Sequence, residues 1–325
     1  MRLLFARFGI SIFALAGTLA LAACATGGGA GIPIPAPDGV PAVYRATQGV
    51  QAPALFVASD SPYFVDGYTL PLHTGERASM MLRGINEPVP VAADSRSLYI
   101  GSFDDGSIYT YGLPLEMTWQ VPARSPGLAT GLRDLSGLAV AGQYLFAAGE
   151  GPNGEEVLEY RLPLVAGEKA TSFVRGFPVL DFLAVGAERG TLYIASAADG
   201  TVGAYRLPLR NGETPEYTID TPPQIDGAVG VAIDRRNAHL YVSLYRIGDV
   251  YRYNLPYRAG EKPVILDVRA QTGGELPYGI AVGASHLYVT AGAILAYSLP
   301  INARSTPDAT VSFAGGNAAG LAVSR

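Results

Sequence analysis

The sequence predicts an all-β fold, a six-bladed β-propeller of four-stranded blades whose ring is closed by the C-terminal strand in the first blade. Three observations predict it. The motif Tyr-x-Leu-Pro occurs at Tyr68, Tyr111, Tyr160, Tyr205, Tyr253 and Tyr297, at intervals of 43, 49, 45, 48 and 44 residues. Two of the units, eighteen residues from Leu98 and from Leu192, align without a gap and share ten identities. Each unit also holds four short apolar runs bounded by Gly, Asp and Pro, which is the pattern of strands in a repeating β architecture. Four-stranded units of this length stack around an axis as blades.

Within a unit, the inner strand reads as Val89–Ala92, Gly137–Val140, Phe182–Val185, Gly230–Ile233, Gly279–Ile–Ala–Val282 and Gly320–Val323. The second strand carries a Leu-Tyr-Ile/Val core, as in Leu98-Tyr-Ile and Leu240-Tyr-Val. Tyr-x-Leu-Pro forms the third. Tyr and Leu two residues apart share one sheet face and can fill the gap between blades, and Pro follows where the strand needs no further ladder bond. Gly-Glu pairs at Gly75, Gly167, Gly212 and Gly260 then mark a turn into a fourth strand, as at Ser79–Leu82, Thr118–Val121 and Thr171–Val174. The domain opens on a second strand, Ala54–Val57, and ends on an orphan inner strand, Gly320–Val323. Joining these two ends completes blade one and removes an open sheet edge.

Three parts are expected: a leader over 1–23, a tether over 24–53 and the propeller over 54–325. Arg2 and Arg7 precede an apolar run from Phe8 to Ala23, too short to span a bilayer comfortably and followed by a small-residue cleavage site. Leu21-Ala-Ala-Cys24 resembles the lipobox of bacterial lipoproteins, which implies cleavage before Cys24 and its diacylation. Two acyl chains suffice for stable anchoring. Cys24 is the only cysteine, so the exported part has no disulfide. The tether is rich in Gly and Pro, from Gly27 to Pro41, and acts as a spacer. Ala25 after the cysteine resembles the pattern of outer-membrane sorting, facing the periplasm, in an organism with two membranes.

The chain has 23 Lys plus Arg against 28 Asp plus Glu. Loss of the leader removes two arginines and no acid, which leaves a net charge of −7. That sign argues against nucleic acid and against electrostatic adhesion to anionic lipid.

The fourth-to-first and second-to-third connections of a propeller share one face. Here that face gathers Asp104, Asp105, Asp134, Glu150, Asp199, Asp249 and Glu275, among other acids, and few bases. Asp105-Gly106 and Asp199-Gly200 read as hairpin turns, and the Gly149–Glu156 stretch as a solvated loop. Loops that precede the inner strands converge on the axis, so Asn86, Glu87, Asp134, Ser136, Asp181, Asp226, Tyr278 and Asn317 are the candidate ligand-binding residues. Such a ring of oxygens suits Ca²⁺, which takes six to eight, or else it lines a wet channel. The histidines, His73, His239 and His286, fall on the opposite face and read as structural.

The cadence Gly-Ile-Ala-Val, Leu-Tyr-Val and a tyrosine strand resembles NHL-type six-bladed propellers and their relatives, the calcium-dependent lactonases of the gluconolactonase kind. That second resemblance implies a metal held by Glu87, Asp226 and asparagines. The asparagine expected before a Gly-Leu-Ala strand is replaced by Ser136, Tyr278 and Ala319. No nucleophile elbow, Walker loop or dinucleotide fingerprint is present. The expected function is a non-catalytic module that takes a protein or small-molecule ligand on the acidic face. The alternative is a Ca²⁺-dependent lactonase-type hydrolase.

Overall fold

The structure, a computed structural model, describes residues 53–115, 127–177, 183–188, 190–221, 227–234, 236, 238–313 and 318–324. The predicted leader, Cys24 and the predicted tether up to residue 52 lie outside these residues.

Among the described residues, twenty-four strands form six antiparallel four-stranded sheets. Blade one begins with β1 (Ala54–Asp60), β2 (Tyr63–Thr69) and β3 (Met80–Leu82). Blade two is β4 (Pro88–Ala93), β5 (Ser97–Ser102), β6 (Ser107–Gly112) and β7 (Leu128–Ala129). Blade three is β8 (Arg133–Ala141), β9 (Tyr144–Gly151), β10 (Gly154–Arg161) and β11 (Ser172–Arg175). Blade four is β12 (Leu183–Glu188), β13 (Thr191–Ser196), β14 (Thr201–Arg206) and β15 (Tyr217–Asp220). Blade five is β16 (Ala228–Asp234), β17 (His239–Leu244), β18 (Asp249–Asn254) and β19 (Val264–Asp267), followed by the short helix α1 (Val268–Thr272). Blade six is β20 (Ile280–Val282), β21 (His286–Thr290), β22 (Ala293–Ser298) and β23 (Ala309–Ser312). The last strand, β24 (Ala318–Val323), pairs with β1 as the inner strand of blade one. Ala54 N donates to Ser324 Oγ at 2.9 Å, and Ser324 N returns a 2.9 Å bond to Ala54 O. The expected closure is what holds the ring.

Inner strands touch in the order β24, β4, β8, β12, β16, β20 and back to β24. Six apolar clusters fill the six gaps between blades, one in each. Second strands are the centre of every sheet: Leu55, Leu98, Leu145, Leu192, Leu240 and Leu287 have no exposed surface. The motif tyrosine of each blade reaches into the gap with the blade before it, Tyr68 against blade six and Tyr253 against blade four, for example. The motif leucines pack beside them. Burial pushes the phenols of Tyr111 and Tyr205 up to about 12.

Leu-Pro ends the third strand as expected. The leucine N–H makes the last cross-strand bond in all six blades, from Leu70 to Pro53 O round to Leu299 to Ser285 O. Proline has no N–H to continue it, and all six Leu–Pro bonds are cis. In the turn that follows, Gly75, Gly167, Gly212 and Gly260 sit at φ between 70° and 80°, a region costly for residues with a Cβ. Two of these turns also clasp the preceding blade, Gly75 N on Thr310 O and Gly212 N on Phe173 O, both at 3.1 Å.

Crowding at the axis explains the glycine that opens the inner strands. A Cβ on Gly320 would lie 2.2 Å from Val89 O in the neighbouring blade. Along the inner strands, Val91, Leu138, Val231, Ile280 and Leu321 line an axial channel of about 310 Å³. Each keeps only 6–8% exposure, and Asp94 and Ser95 add a polar part to the lining.

The predicted strand Thr118–Val121 lies outside the described residues. The described outer strand of blade two is β7, whose Leu128 and Ala129 pair with Ile108 and Ser107. One expectation is corrected. Glu155 and Glu156 belong to a strand, β10, rather than to a solvated loop, and are 4% and 3% exposed. The turn contracts to Pro152 and Asn153, and Arg175 at the end of β11 forms an ion pair with Glu156.

Candidate functional site

Five of the eight candidate residues fall in the described part: Asn86, Glu87, Asp134, Ser136 and Tyr278. Asp181, Asp226 and Asn317 lie outside it.

Asn86 and Glu87 occupy the connection into β4. The register of β4 against β5 slips between Pro88 and Val91, and Glu87 takes up the slack at φ 43°. The connection is fastened to the end of β5, with Ser102 Oγ donating to Asn86 O at 2.6 Å and Phe103 N to Glu87 O at 2.9 Å. Asn86 Nδ2 in turn donates to Asp104 Oδ2 at 2.6 Å. Blade three repeats the device: β8 slips between Arg133 and Gly137, and Asp134 sits at φ 49°. Neither residue is glycine, so both carry backbone strain.

Charge is concentrated here. Arg133 lies across the strand pair from Glu150, with Nη2 3.3 Å from Oε1. Burial and then the Glu150 charge push the Asp134 carboxyl above the usual carboxylate range; Arg133 opposes this and Asp104 adds to it. Asn86, Asp104, Asp134 and Glu150 therefore form one group over the gap between blades two and three. Ser136 is buried beneath, at 6% exposure.

Tyr278 stands apart, over the gap between blades five and six. Its backbone is held by Thr290 O and Ser243 Oγ, at 2.9 and 2.8 Å. Its ring meets Tyr245 edge-on, with centroids 5.8 Å apart. The candidates thus divide into an acidic amide-bearing group and an aromatic group on opposite sides of the ring.

Two features of this face were missed by the sequence reading. Asp249 pairs directly across from Asp267 in β18 and β19; burial, then Asp267, pushes its carboxyl up to about 6. Asp267 also caps α1, accepting from Ala270 N at 2.8 Å. Asp249 was visible as an acid, but its partner lies eighteen residues on and is brought opposite only by strand pairing. The exposed tyrosines were also missed: Tyr63 and Tyr245 are 45% and 37% exposed, and their hairpins open on this face.

The donor set bears on a calcium site. Among the described residues, no three His, Cys, Asp or Glu side chains gather closely enough to hold a metal ion. Asp104 and Asp134, with Asn86, offer oxygens to a cation, but Asn86 already turns its amide N–H to Asp104 and Arg133 already neutralises Glu150. The described residues alone do not make the six-to-eight-oxygen shell that Ca²⁺ takes.

No family model matches the sequence, and no curated protein matches it. Solved structures do. One chain of a nidogen/laminin complex superposes with a TM-score of 0.55 at 14% identity, over 83% of this chain and 97% of that one. A protein of unknown function from Bacteroides caccae superposes with a TM-score of 0.58 at 11% identity, over 84% and 99%. What they share with this chain is the fold. Both are covered almost end to end, so the likeness extends to the whole ring rather than to a few blades.

Proposed function

We propose that this protein is a membrane-anchored envelope lipoprotein whose propeller is a non-catalytic binding module, with the acidic face as its contact surface. The observation that carries this is the coincidence, on one face, of the crowded carboxylates around Asp134 with the exposed rings of Tyr63 and Tyr245. Tyrosine is enriched where proteins meet because it offers a rigid apolar body and a polar tip. Carboxylates beside it favour a partner with basic or amide groups and repel acidic ones. The neighbour solved within a nidogen/laminin complex is an instance of the same fold within a protein assembly. The NHL-like cadence is consistent with such a role, and Cys24 would supply the anchor.

The test is site-specific photo-crosslinking in cells that express the full chain. A crosslinker at Tyr63 or Tyr245 is expected to give a discrete adduct that Asp134→Lys removes. A crosslinker at Val165, 62% exposed on the opposite face, serves as the control. Adducts from Val165 alone would overturn the reading.

The Ca²⁺-dependent lactonase-type reading keeps one specific support: burial and the charges of Glu150 and Asp104 raise the affinity of Asp134 for positive charge. Thermal unfolding in EDTA and in millimolar calcium separates the two. Binding to the native state alone gives about 2.7 kcal/mol at a hundredfold excess over Kd, an upward shift of several degrees. Coincident melts leave the non-catalytic reading.

A further inference from the structure

Asp66 has no role in the site above, yet it is the most deeply buried carboxyl of the seam that closes the ring. It lies in the middle of β2, paired with Val57 of β1 and Met81 of β3, and is 2% exposed. Strand alternation puts it on the same face as Phe64 and Tyr68. Both of those neighbours point at blade six: Phe64 meets Phe313 with centroids 5.5 Å apart, and Tyr68 packs among Ala281, Ile294 and Val311. Asp66 is therefore held between two aromatic rings against an apolar wall.

The position matters because of how the ring is joined. Blade six runs on into β24, but β24 meets β1 only through hydrogen bonds and packing. Strands β1 to β3 could separate from β24 and blade six without breaking the chain. The face that would then be exposed is the one that carries Asp66.

Few groups face this carboxyl. Tyr68 Oη donates a long bond to Oδ2 at 3.5 Å, while Oδ1 is buried with no hydrogen-bond partner among the described residues. Arg83, just beyond β3, has its Nε on Met81 Sδ and is, among the described residues, the cation that acts on it. Among the buried residues of blade six in this gap is Tyr288, whose phenol burial pushes up to about 12 and so keeps neutral.

We propose that Asp66 is a proton-sensitive latch on ring closure: the seam between blades one and six is tight while Asp66 is protonated and loosens when it ionises. The sign follows from the two states. Burial pushes the carboxyl from 3.8 up to about 7 in the closed ring, whereas in an opened seam it returns to the ordinary value. The proton-linked stabilisation is complete below 3.8 and is lost as the pH rises to about 7. Above that, Asp66 is ionised in both states and no further change is expected.

Hydrogen exchange on the full chain in detergent tests this at pH 5.5 and 8.5, with intrinsic rates divided out. Protection of the β1–β24 amides is expected to fall roughly thirtyfold, tenfold per pH unit up to about 7, while that of β17 holds. Asp66→Asn should flatten this response. Arg83→Gln removes the charge that favours ionisation, so it should move the midpoint to higher pH, and it provides the test if Asp66→Asn does not fold. The latch is overturned by a flat response in the parent chain, by the same fall in Asp66→Asn, by β17 falling in step, or by an Arg83→Gln midpoint that stays put.

Discussion

A Cβ on Gly320 would meet Val89 O at 2.2 Å, a backbone atom that cannot rotate away. Gly320→Ala must therefore push two inner strands apart at the axis, where the ring has least room. Such overpacking costs about 1–3 kcal/mol, and here it falls on the strand that closes the ring. Chemical denaturation of Gly320→Ala should show a loss of that size or more; Gly142→Ala, in an open hairpin, should lose about 1 kcal/mol or less. Single residues were the least legible scale of this protein. Glycine at the head of the inner strand was plain in the sequence, but its reason is a neighbouring blade some 230 residues away. Glu155 and Glu156 were read as solvated because Gly, Pro and Asn surround them; burial and the Arg175 partner of Glu156 appear only once β11 is laid beside β10.

Elements were far more legible, because a strand signals itself locally and six copies of the signal average out its errors. The Tyr-x-Leu-Pro strand behaves as its spacing implies, with tyrosine and leucine in the gap and proline at the ladder's end. What the motif does not show is how blades grip one another through the residue before its tyrosine. In blade three that residue is Glu159, 2% exposed, whose carboxylate accepts from Thr171 Oγ1 at 2.9 Å and from Leu209 N of blade four at 3.0 Å. In blade five it is Arg252, whose Nη1 donates to Ile301 O of blade six. The same position thus offers an acceptor to one turn and a donor to the next. Leu209 is itself buried at 4% exposure, so Glu159→Ala would strand its N–H at about 1–3 kcal/mol. Glu159→Gln keeps one acceptor oxygen and should lose less than half as much in the same denaturation experiment. Equal losses in the two variants would assign the effect to the side chain's bulk rather than to its clasp.

At the scale of the whole molecule, the ring's order and its closure were readable from where the repeat begins and ends, whereas the candidate site was readable only as a face. Loops can be sorted by the strands they join, but not by which of them bend toward the axis. That is why Asn86 and Asp134 came together with Asp104 and Glu150, while Tyr278 joined Tyr245 across the ring. Closure itself makes a prediction. If β24 completes blade one, a chain ending at residue 317 leaves β1 with an unpaired edge and blade one without an inner strand. Supplying residues 318–325 as a separate peptide should restore part of the lost thermal stability, in proportion to peptide concentration. Because Ala54 and Ser324 already exchange hydrogen bonds, the two ends can also be linked. A circular permutant that joins residue 325 to residue 53 through a short Gly/Ser linker, with new ends opened at the exposed Gly75 turn, should keep the parent's β-sheet circular dichroism. It should unfold at a higher temperature than the parent, since the seam no longer has to be closed against the entropy of two free ends. A permutant that unfolds earlier than the parent would mean that the Gly75 clasp on Thr310, which the new ends interrupt, holds blades one and six together more firmly than β24 does.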